Sequence, residues 1–132
     1  MVEVHRTSDF ARWSSKVAKA ARSGDPIALR TAKHVLDALN YIKALPSPPT
    51  ADTATLKWVR QSKQHKVWRI SHPYDPVVAV RVICWFDDDS DTVVVVLFAN
   101  DKAAMGDVFY DSVGSRADQA IETWKRQNGR TT

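Results

Sequence analysis

The spacing of apolar residues changes along the chain and divides it into helical and extended segments. Residues 2–6, VEVHR, alternate apolar and polar positions, which predicts a short edge strand. From Ser8 the spacing becomes helical. One stripe then contains Phe10, Trp13, Val17 and Ala20. This pattern predicts a first helix that ends at Gly24.

A second helix is predicted to begin directly after this glycine. Asp25 is a favourable N-cap residue, and Pro26 suits the first helical position because its missing N–H would have no partner there. Residues 46–49 contain three prolines, which predicts that the helix gives way to a loop over residues 46–55. The predicted apolar face of the second helix comprises Leu29, Ala32, Leu36, Leu39 and Ile42. The two helices are therefore expected to form a hairpin.

Four segments after the loop are rich in β-branched and aromatic residues, which predicts strands. They are LKWVRQ (56–61), KVWRIS (66–71), VVAVRVICWF (77–86) and TVVVVLFA (92–99). Short connections such as SKQH and DDDSD predict antiparallel pairing between neighbours. The run of four valines predicts a central strand that is buried on both faces.

The spacing becomes helical again after Asn100. Residues 105–113 predict a short helix. Ser115 and Asp118 resemble a capping box, which predicts a further helix over about residues 115–127. The apolar face of this last helix comprises Ala117, Ala120, Ile121 and Trp124.

The order of these elements predicts an α+β fold with a single domain over residues 1–132. We expect two layers, in which the N-terminal helical hairpin packs on one face of an antiparallel β-sheet, with an extra C-terminal helix. The other face of the sheet is then partly open.

Alternation within the strands predicts which side chains share this open face. In residues 77–86, the set that contains Cys84 fits the covered face, and the set that contains Arg81 and Trp85 fits the open face. On the preceding strand, Trp68 and Ile70 fit the core, so Arg69 joins Arg81. Two arginines beside a tryptophan resemble a phosphate clamp with a stacking surface for an unpaired base. Alternatively, such an arginine pairs with an acidic residue across the strands or extends to water.

Other residues with suitable chemistry lie nearby in the sequence. Lys102 follows the central strand, and Tyr110 offers a phenol on the next segment. His65 and His72 are candidates for a general acid or base at neutral pH, although a histidine in a loop most often has no catalytic role. A basic stretch before the long strands predicts a patch that binds RNA. It contains Lys57, Arg60, Lys63, His65 and Lys66.

The distribution of charge supports a polyanionic partner. Residues 1–72 contain 13 Lys and Arg against 5 Asp and Glu, whereas residues 73–132 contain 6 against 10. A basic half beside an acidic half indicates one surface for a polyanion and another for a different partner. Chance variation of surface charge is the alternative.

Composition argues against several classes of protein. The single cysteine, Cys84, cannot form an internal disulfide or a cysteine-rich metal site. No apolar run approaches the roughly 20 residues that span a bilayer, and the first ten residues lack a signal-peptide core, so we expect a cytoplasmic protein. The aspartates of residues 87–91 lack the spacing of a calcium-binding EF-hand loop. No glycine-rich phosphate loop, nucleophile triad or HExxH sequence is present, so we expect no cofactor.

The segment from Arg69 to Lys102 resembles the RelE/HigB branch of the RelE/ParE toxin superfamily. The strands WRI, VRVICWF and VVVVLFA carry this resemblance, together with the preceding helical hairpin and the following loop with its lysine. The similarity extends over roughly residues 1–113. It implies a small toxin of a bacterial or phage toxin–antitoxin pair, with an antitoxin protein as partner. Many such toxins enter the ribosomal A site and cut messenger RNA without a metal.

The resemblance also implies roles for individual residues. Arg81 matches the arginine that contacts the scissile phosphate, and Arg69 matches a basic residue on the preceding strand. Lys102 corresponds to the basic loop after the last strand, and Tyr110 corresponds loosely to a C-terminal aromatic residue or histidine. The implied reaction is attack of the RNA 2′-hydroxyl on the adjacent phosphate, with cations stabilising the charge that develops on phosphorus.

Two alternatives to a ribosome-dependent endoribonuclease follow from the same residues. One is a toxin of ParE type that poisons DNA gyrase, for which the helical hairpin would matter more than the cations of the sheet. The other is a nucleic-acid-binding module without catalytic activity, for which the basic stretch alone would suffice.

Overall fold

A computed structural model of the protein describes residues 3–46, 48–59, 64–87, 93–101 and 108–128; for residues 93, 100, 101 and 108–112 it describes the backbone alone. The described residues form five strands and three helices. The strands are β1 (Glu3–Arg6), β2 (Leu56–Val59), β3 (Val67–Ile70), β4 (Val80–Phe86) and β5 (Val93–Asp101). The helices are α1 (Ser8–Arg22), α2 (Pro26–Lys43) and α3 (Val108–Gln127). The predicted α+β class is therefore confirmed.

A side-chain cap marks the start of each helix of the hairpin. The hydroxyl of Thr7 accepts a hydrogen bond from the backbone N–H of Phe10 at the start of α1. The carboxylate of Asp25 accepts from the N–H groups of Ile27 and Ala28 at the start of α2. Between the helices, Gly24 has φ of 97°, a conformation that favours glycine and lets the chain reverse. The predicted hairpin is confirmed.

The five strands form one mixed sheet in the order β1-β5-β4-β3-β2. Neighbours from β2 to β5 are antiparallel, as expected, but β1 pairs parallel with β5. The prediction of a wholly antiparallel sheet was therefore wrong. Strand β1 is followed directly by α1, and it pairs with the edge of β5 that does not pair with β4.

Two hydrophobic cores lie on opposite faces of this sheet. One contains Val82 and Cys84 of β4 and packs against α1 and α2. The other contains Ile83 and Trp85 of β4 and packs against α3. Strand β5 contributes to both cores and is buried from Val94 to Ala99, which confirms the predicted central strand. The protein therefore has three layers rather than two, because the C-terminal helix covers part of the face that was predicted to be open.

Helix α3 also begins earlier than the sequence predicts. It runs without a break from Val108, so that Ser115 lies within the helix and does not act as its N-cap. The apolar positions that face the sheet are Val113, Ala117, Ile121 and Trp124. Their spacing of three or four residues continues through Ser115, which explains why one helix forms in place of the two that were predicted.

The orientation of α2 differs from the prediction as well. Leu29 and Leu36, assigned to its apolar face, are 62% and 58% exposed. Leu39 and Ile42 of the predicted face are buried, and the other buried positions are Ala28, Thr31, Val35 and Ala38. The hydroxyl of Thr31 is satisfied by donating to the carbonyl of Ile27 at 2.9 Å.

An irregularity in the pairing of β4 with β5 interrupts the alternation of side chains. Ile83 is opposite Phe98, whereas Cys84 is opposite Val96, so Leu97 is an extra residue in β5. Both Leu97 and Phe98 consequently face α3. Among the described residues, no helix is long and apolar enough to cross a membrane.

Candidate nucleic-acid-binding face

The strand register places three cations on one face of the sheet. Lys57 of β2 is opposite Arg69 of β3, and Arg69 is opposite Ile83 of β4. Arg81 lies two residues from Ile83 and therefore on the same face, diagonally across from Arg69 at about 7–8 Å between Cα atoms. This is the face that carries α3, and β2 is an edge strand. The structure thus brings together the two arginines that the sequence predicted, with Lys57 beside them.

Arg81 has few partners for a half-buried arginine. Its Nη1 donates to the carbonyl of its neighbour Val80 at 3.2 Å. Its Nε is buried and has no hydrogen-bond partner among the residues that the structure describes. Buried polar groups are normally satisfied, so an unsatisfied donor suggests a site for water or an anion. The alternative, a pairing of Arg81 with a carboxylate across the strands, is not seen within the described residues.

Trp85 cannot provide a stacking surface for a base. It is 1% exposed and packs edge-to-face against Trp124 of α3, with ring centroids 6.0 Å apart. The imidazole of His65 lies 5.5 Å from the same ring, and the Nζ of Lys125 lies 5.5 Å from its centroid. The assignment of Trp85 to RNA binding was therefore wrong, because α3 covers this end of the face.

His65 joins the segment between β2 and β3 to α3. Its Nε2 lies 2.8 Å from a carboxylate oxygen of Glu122, and its side chain is only 10% exposed. This contact fastens the helix over Trp85. The geometry fits an architectural contact better than it fits the RNA-binding role that the sequence predicted for His65.

The rest of the basic stretch separates into distinct environments. Trp68 and Ile70 are buried as predicted, whereas Trp58 is 42% exposed. The Nζ of Lys66 lies over both indoles, 5.1 Å from Trp58 and 5.4 Å from Trp68. Lys66 and Trp58 thus lie at the surface of the hairpin side, opposite the face that carries Lys57 and Arg69. Cation–π contact explains how Trp58 is stabilised outside the core.

Four of the predicted site residues fall outside these observations. Arg60, Lys63 and Lys102 lie outside the described residues, and Tyr110 lies in α3 where only the backbone is described.

A polar cluster that the sequence did not predict lies between α2 and the start of β4. The carboxylate of Asp75 accepts hydrogen bonds from Arg30 Nη1 and from the backbone of Val77 and Val78, and its other oxygen lies 2.9 Å from His34 Nε2. The ring of His34 stacks on that of His72, with centroids 3.6 Å apart and an angle of 10°. A cavity of about 170 Å³ adjoins both histidines. No pattern in the sequence links His34 to Asp75, since 41 residues separate them.

Both ring nitrogens of His72 are engaged by the backbone. Nδ1 lies 2.7 Å from the carbonyl oxygen of Pro73, and Nε2 accepts from the N–H of Val80 at 2.9 Å. A carbonyl can only accept, so Nδ1 carries the proton and the ring is neutral. Burial lowers the pKa of His72 below 6.5, and nearby His34 and Arg81 lower it further, against the opposing hydrogen bond to Pro73 and the charge of Asp75. His72 therefore fits a structural role better than that of a free general base.

Two further groups have shifted pKa values. The hydrogen bond from His34, followed by those from Val77 and Val78, holds the pKa of Asp75 far below its ordinary value of 3.8. Burial raises the pKa of Cys84 to about 12, so the reactive thiolate form of this side chain is disfavoured at neutral pH. Among the described residues, no group of His, Cys, Asp and Glu side chains is arranged to hold a metal ion.

Comparison with known proteins identifies no relative. No family model, curated protein or solved structure matches the chain.

Proposed function

We propose that the protein is the toxin of a toxin–antitoxin pair and that it cleaves messenger RNA on the ribosome, with Arg81 at the scissile phosphate. The observation that carries this proposal is the environment of Arg81. Its guanidinium is half-buried, and the described residues offer it one backbone acceptor and no carboxylate. An arginine keeps its charge in such a place, and its forked donors match the oxygens of a phosphate.

The cations beside Arg81 support an extended polyanion as the ligand. Lys57, Arg69 and Arg81 lie on three successive strands of one face. Their row begins at β2, which is an edge strand, so an RNA backbone reaches it without passing another strand. Each phosphate contact of this kind adds affinity that falls with salt.

The proposed reaction needs few protein groups. The 2′-oxygen attacks the adjacent phosphorus, the bond from phosphorus to the 5′-oxygen breaks, and the products carry a 2′,3′-cyclic phosphate and a 5′-hydroxyl. Arg81 stabilises the negative charge that develops on the phosphate oxygens. By the sequence resemblance, Lys102 contributes a further cation and Tyr110 takes part in proton transfer.

Inducing the protein in cells and mapping transcript ends by primer extension tests this proposal. We expect growth to stop and new transcript ends to appear with the wild-type chain. Both effects should disappear with Arg81→Ala and persist with Arg22→Ala, which removes an exposed arginine at the end of α1. New ends that persist at full level in Arg81→Ala would contradict the assigned role. Growth arrest with intact transcripts and accumulated DNA breaks would instead indicate a gyrase poison.

A second candidate function is nucleic-acid binding without catalysis. The engagement of His65 by Glu122 and of His72 by the backbone favours it, because neither imidazole is free for proton transfer in this structure. Purified protein would then bind single-stranded RNA, lose affinity with Arg81→Ala, and leave the RNA intact on ribosomes. Cleavage of ribosome-bound RNA by the wild-type protein would exclude this candidate.

A further inference from the structure

We propose that neutral His72 positions Arg81 for RNA, and that uptake of a proton by His72 weakens RNA binding at this arginine. The inference rests on the proposed role of Arg81 and assigns a regulation to it. Its basis is a short series of hydrogen bonds from the imidazole of His72 to the guanidinium of Arg81.

The series passes through the backbone of one residue. In the register of β3 with β4, Ile70 is opposite Val82, so two further residues bring His72 opposite Val80. The pairing of β3 ends at Ile70, and the Nε2 of His72 accepts the N–H of Val80 at 2.9 Å in place of the next backbone partner. The carbonyl of Val80 in turn accepts from Arg81 Nη1 at 3.2 Å. In a strand, the N–H and C=O of one residue point to the same side, so the two contacts are neighbours.

These contacts fix the place of Arg81 at the start of β4. Val80 is the first residue of the strand, and its side chain is buried. Loss of the bond to His72 therefore removes a restraint from the end of the strand, next to the residue whose guanidinium is proposed to meet the phosphate. His72 itself need not touch RNA for this effect, which makes it a positioning residue.

Protonation of His72 is incompatible with the observed contacts. The proton already present is on Nδ1, next to the carbonyl oxygen of Pro73. A second proton must go to Nε2, which then becomes a donor facing the N–H of Val80. Two donors cannot form a hydrogen bond, so the ring or the strand end must move.

The groups around His72 oppose its charged form. From α2, the ring of His34 stacks on it, and Arg30, Asp37 and Tyr41 lie in the same region. From β4, Arg81 is a neighbouring cation. The carboxylate of Asp75 favours a charged His72, but it is already shared between Arg30 and His34. Burial lowers the pKa of His72, and His34 and Arg81 lower it further, so its protonation is expected below pH 6.5.

The direction of the effect distinguishes this device from ordinary electrostatics. A histidine near bound RNA normally adds positive charge on protonation, and affinity rises as pH falls. Protonation of His72 is expected to have the opposite result. The RNA-binding affinity lost when Arg81 is displaced is expected to exceed the affinity gained from a positive charge on His72. Affinity should therefore fall as pH falls.

The test measures the dissociation constant of a fluorescently labelled single-stranded RNA by anisotropy, between about pH 8 and about pH 5. Wild-type protein should weaken by about fivefold below pH 6.5, the effect of one lost hydrogen bond. His72→Gln retains an acceptor for Val80 that does not titrate, so it should match wild type at neutral pH and lose the decline. His65→Gln, the matched control, removes a different histidine and should keep the decline. An equal or rising affinity of wild type in acid would overturn the proposal.

A second measurement keeps the positioning claim separate from the RNA-binding claim. Nitrogen-15 spectra of free protein should show His72 with its proton on Nδ1, and a shift of Arg81 Nε with pH in wild type but not in His72→Gln. Circular dichroism at each pH confirms that the fold persists. If these spectra behave as expected and RNA does not bind, the proposed function fails while the positioning stands. A proton on Nε2 at neutral pH, or an Arg81 signal that ignores His72, overturns the inference.

Discussion

The two faces of the sheet differ in how their layers are arranged. On the hairpin face, α1 and α2 follow β1 directly and pack over Val82 and Cys84. On the other face, α3 comes from the end of the chain and packs over Ile83 and Trp85. The cations Lys57, Arg69 and Arg81 share the second face with an apolar core. Alternation along a strand therefore identifies which residues share a face, but what covers that face depends on an element far away in the sequence.

The largest change in the free energy of unfolding is expected when one buried isoleucine is truncated on each face of the sheet. Ile42 of α2 and Ile121 of α3 are both 0% exposed. If both helices are structural layers, Ile42→Ala and Ile121→Ala should each lower the free energy of unfolding by about 2–5 kcal/mol, through lost burial and the cavity that remains. Urea denaturation measures both values. A near-neutral Ile121→Ala beside a costly Ile42→Ala would mean that α3 is not a layer of the folded core.

The next largest effect is expected from acid, which removes the stabilisation that Asp75 provides through its contacts with α2 on the hairpin side. Its pKa is held far below 3.8 in the folded protein, so the unfolded chain binds a proton first as pH falls. The stabilisation from Asp75 is then fully present above pH 3.8 and is lost as pH falls below it. Thermal melting at a series of pH values should show this loss in wild type and a weaker one in Asp75→Asn. Asp37→Asn, an exposed carboxylate on α2, serves as the control and should behave as wild type.

A smaller effect is expected from the contact that fastens α3. Glu122→Ala removes the partner of His65 and should lower the free energy of unfolding by about 1 kcal/mol, since the pair is partly exposed. Arg126→Ala, on the same helix and exposed, should change it little. Urea denaturation of the two variants makes the comparison. Equal values would show that the contact of His65 with Glu122 does not stabilise the third layer.

The smallest effect is expected where the sequence misplaced an apolar residue. Leu36 is 58% exposed, whereas Leu39 on the same helix is 7% exposed. Leu36→Ala should change the free energy of unfolding by less than about 0.5 kcal/mol, and Leu39→Ala should cost about 2–5 kcal/mol. A similar large cost for both variants would support the face of α2 that periodicity predicted, which contains both leucines. Urea denaturation decides between the two orientations.

Local patterns predicted the elements well because their causes are local. The Asp25 cap, the proline-rich loop and the valine run each act within a few residues. The parallel pairing of β1 with β5 and the extra residue Leu97 depend on contacts across the sheet, so neither has a local signal. On α2, periodicity correctly placed Leu39 and Ile42 in the core. It misplaced Leu29 and Leu36 because the stripe of leucines extends beyond the arc of the helix that is buried.

The candidate site divides in the same way. Alternation correctly placed Arg69 and Arg81 on one face, since period two is a property of each strand. It also placed Trp85 on that face, but it did not predict that Trp85 is buried, because this burial depends on α3. The sequence did not predict the contact of His34 with Asp75, because this contact joins α2 to a loop 41 residues later in the chain.

The pairing of β1 with β5 has a consequence for the order of folding during synthesis. Glu3 pairs with Val93, and the N–H of Thr7 donates to the carbonyl of Val96 at 3.1 Å. The ribosome therefore releases β1, α1 and α2 long before it makes the strand that β1 needs. Contacts between such distant residues form slowly, and the apolar faces of the hairpin remain exposed to solvent until β5 has been synthesised. The nascent chain is thus expected to depend on chaperones until β5 has been synthesised.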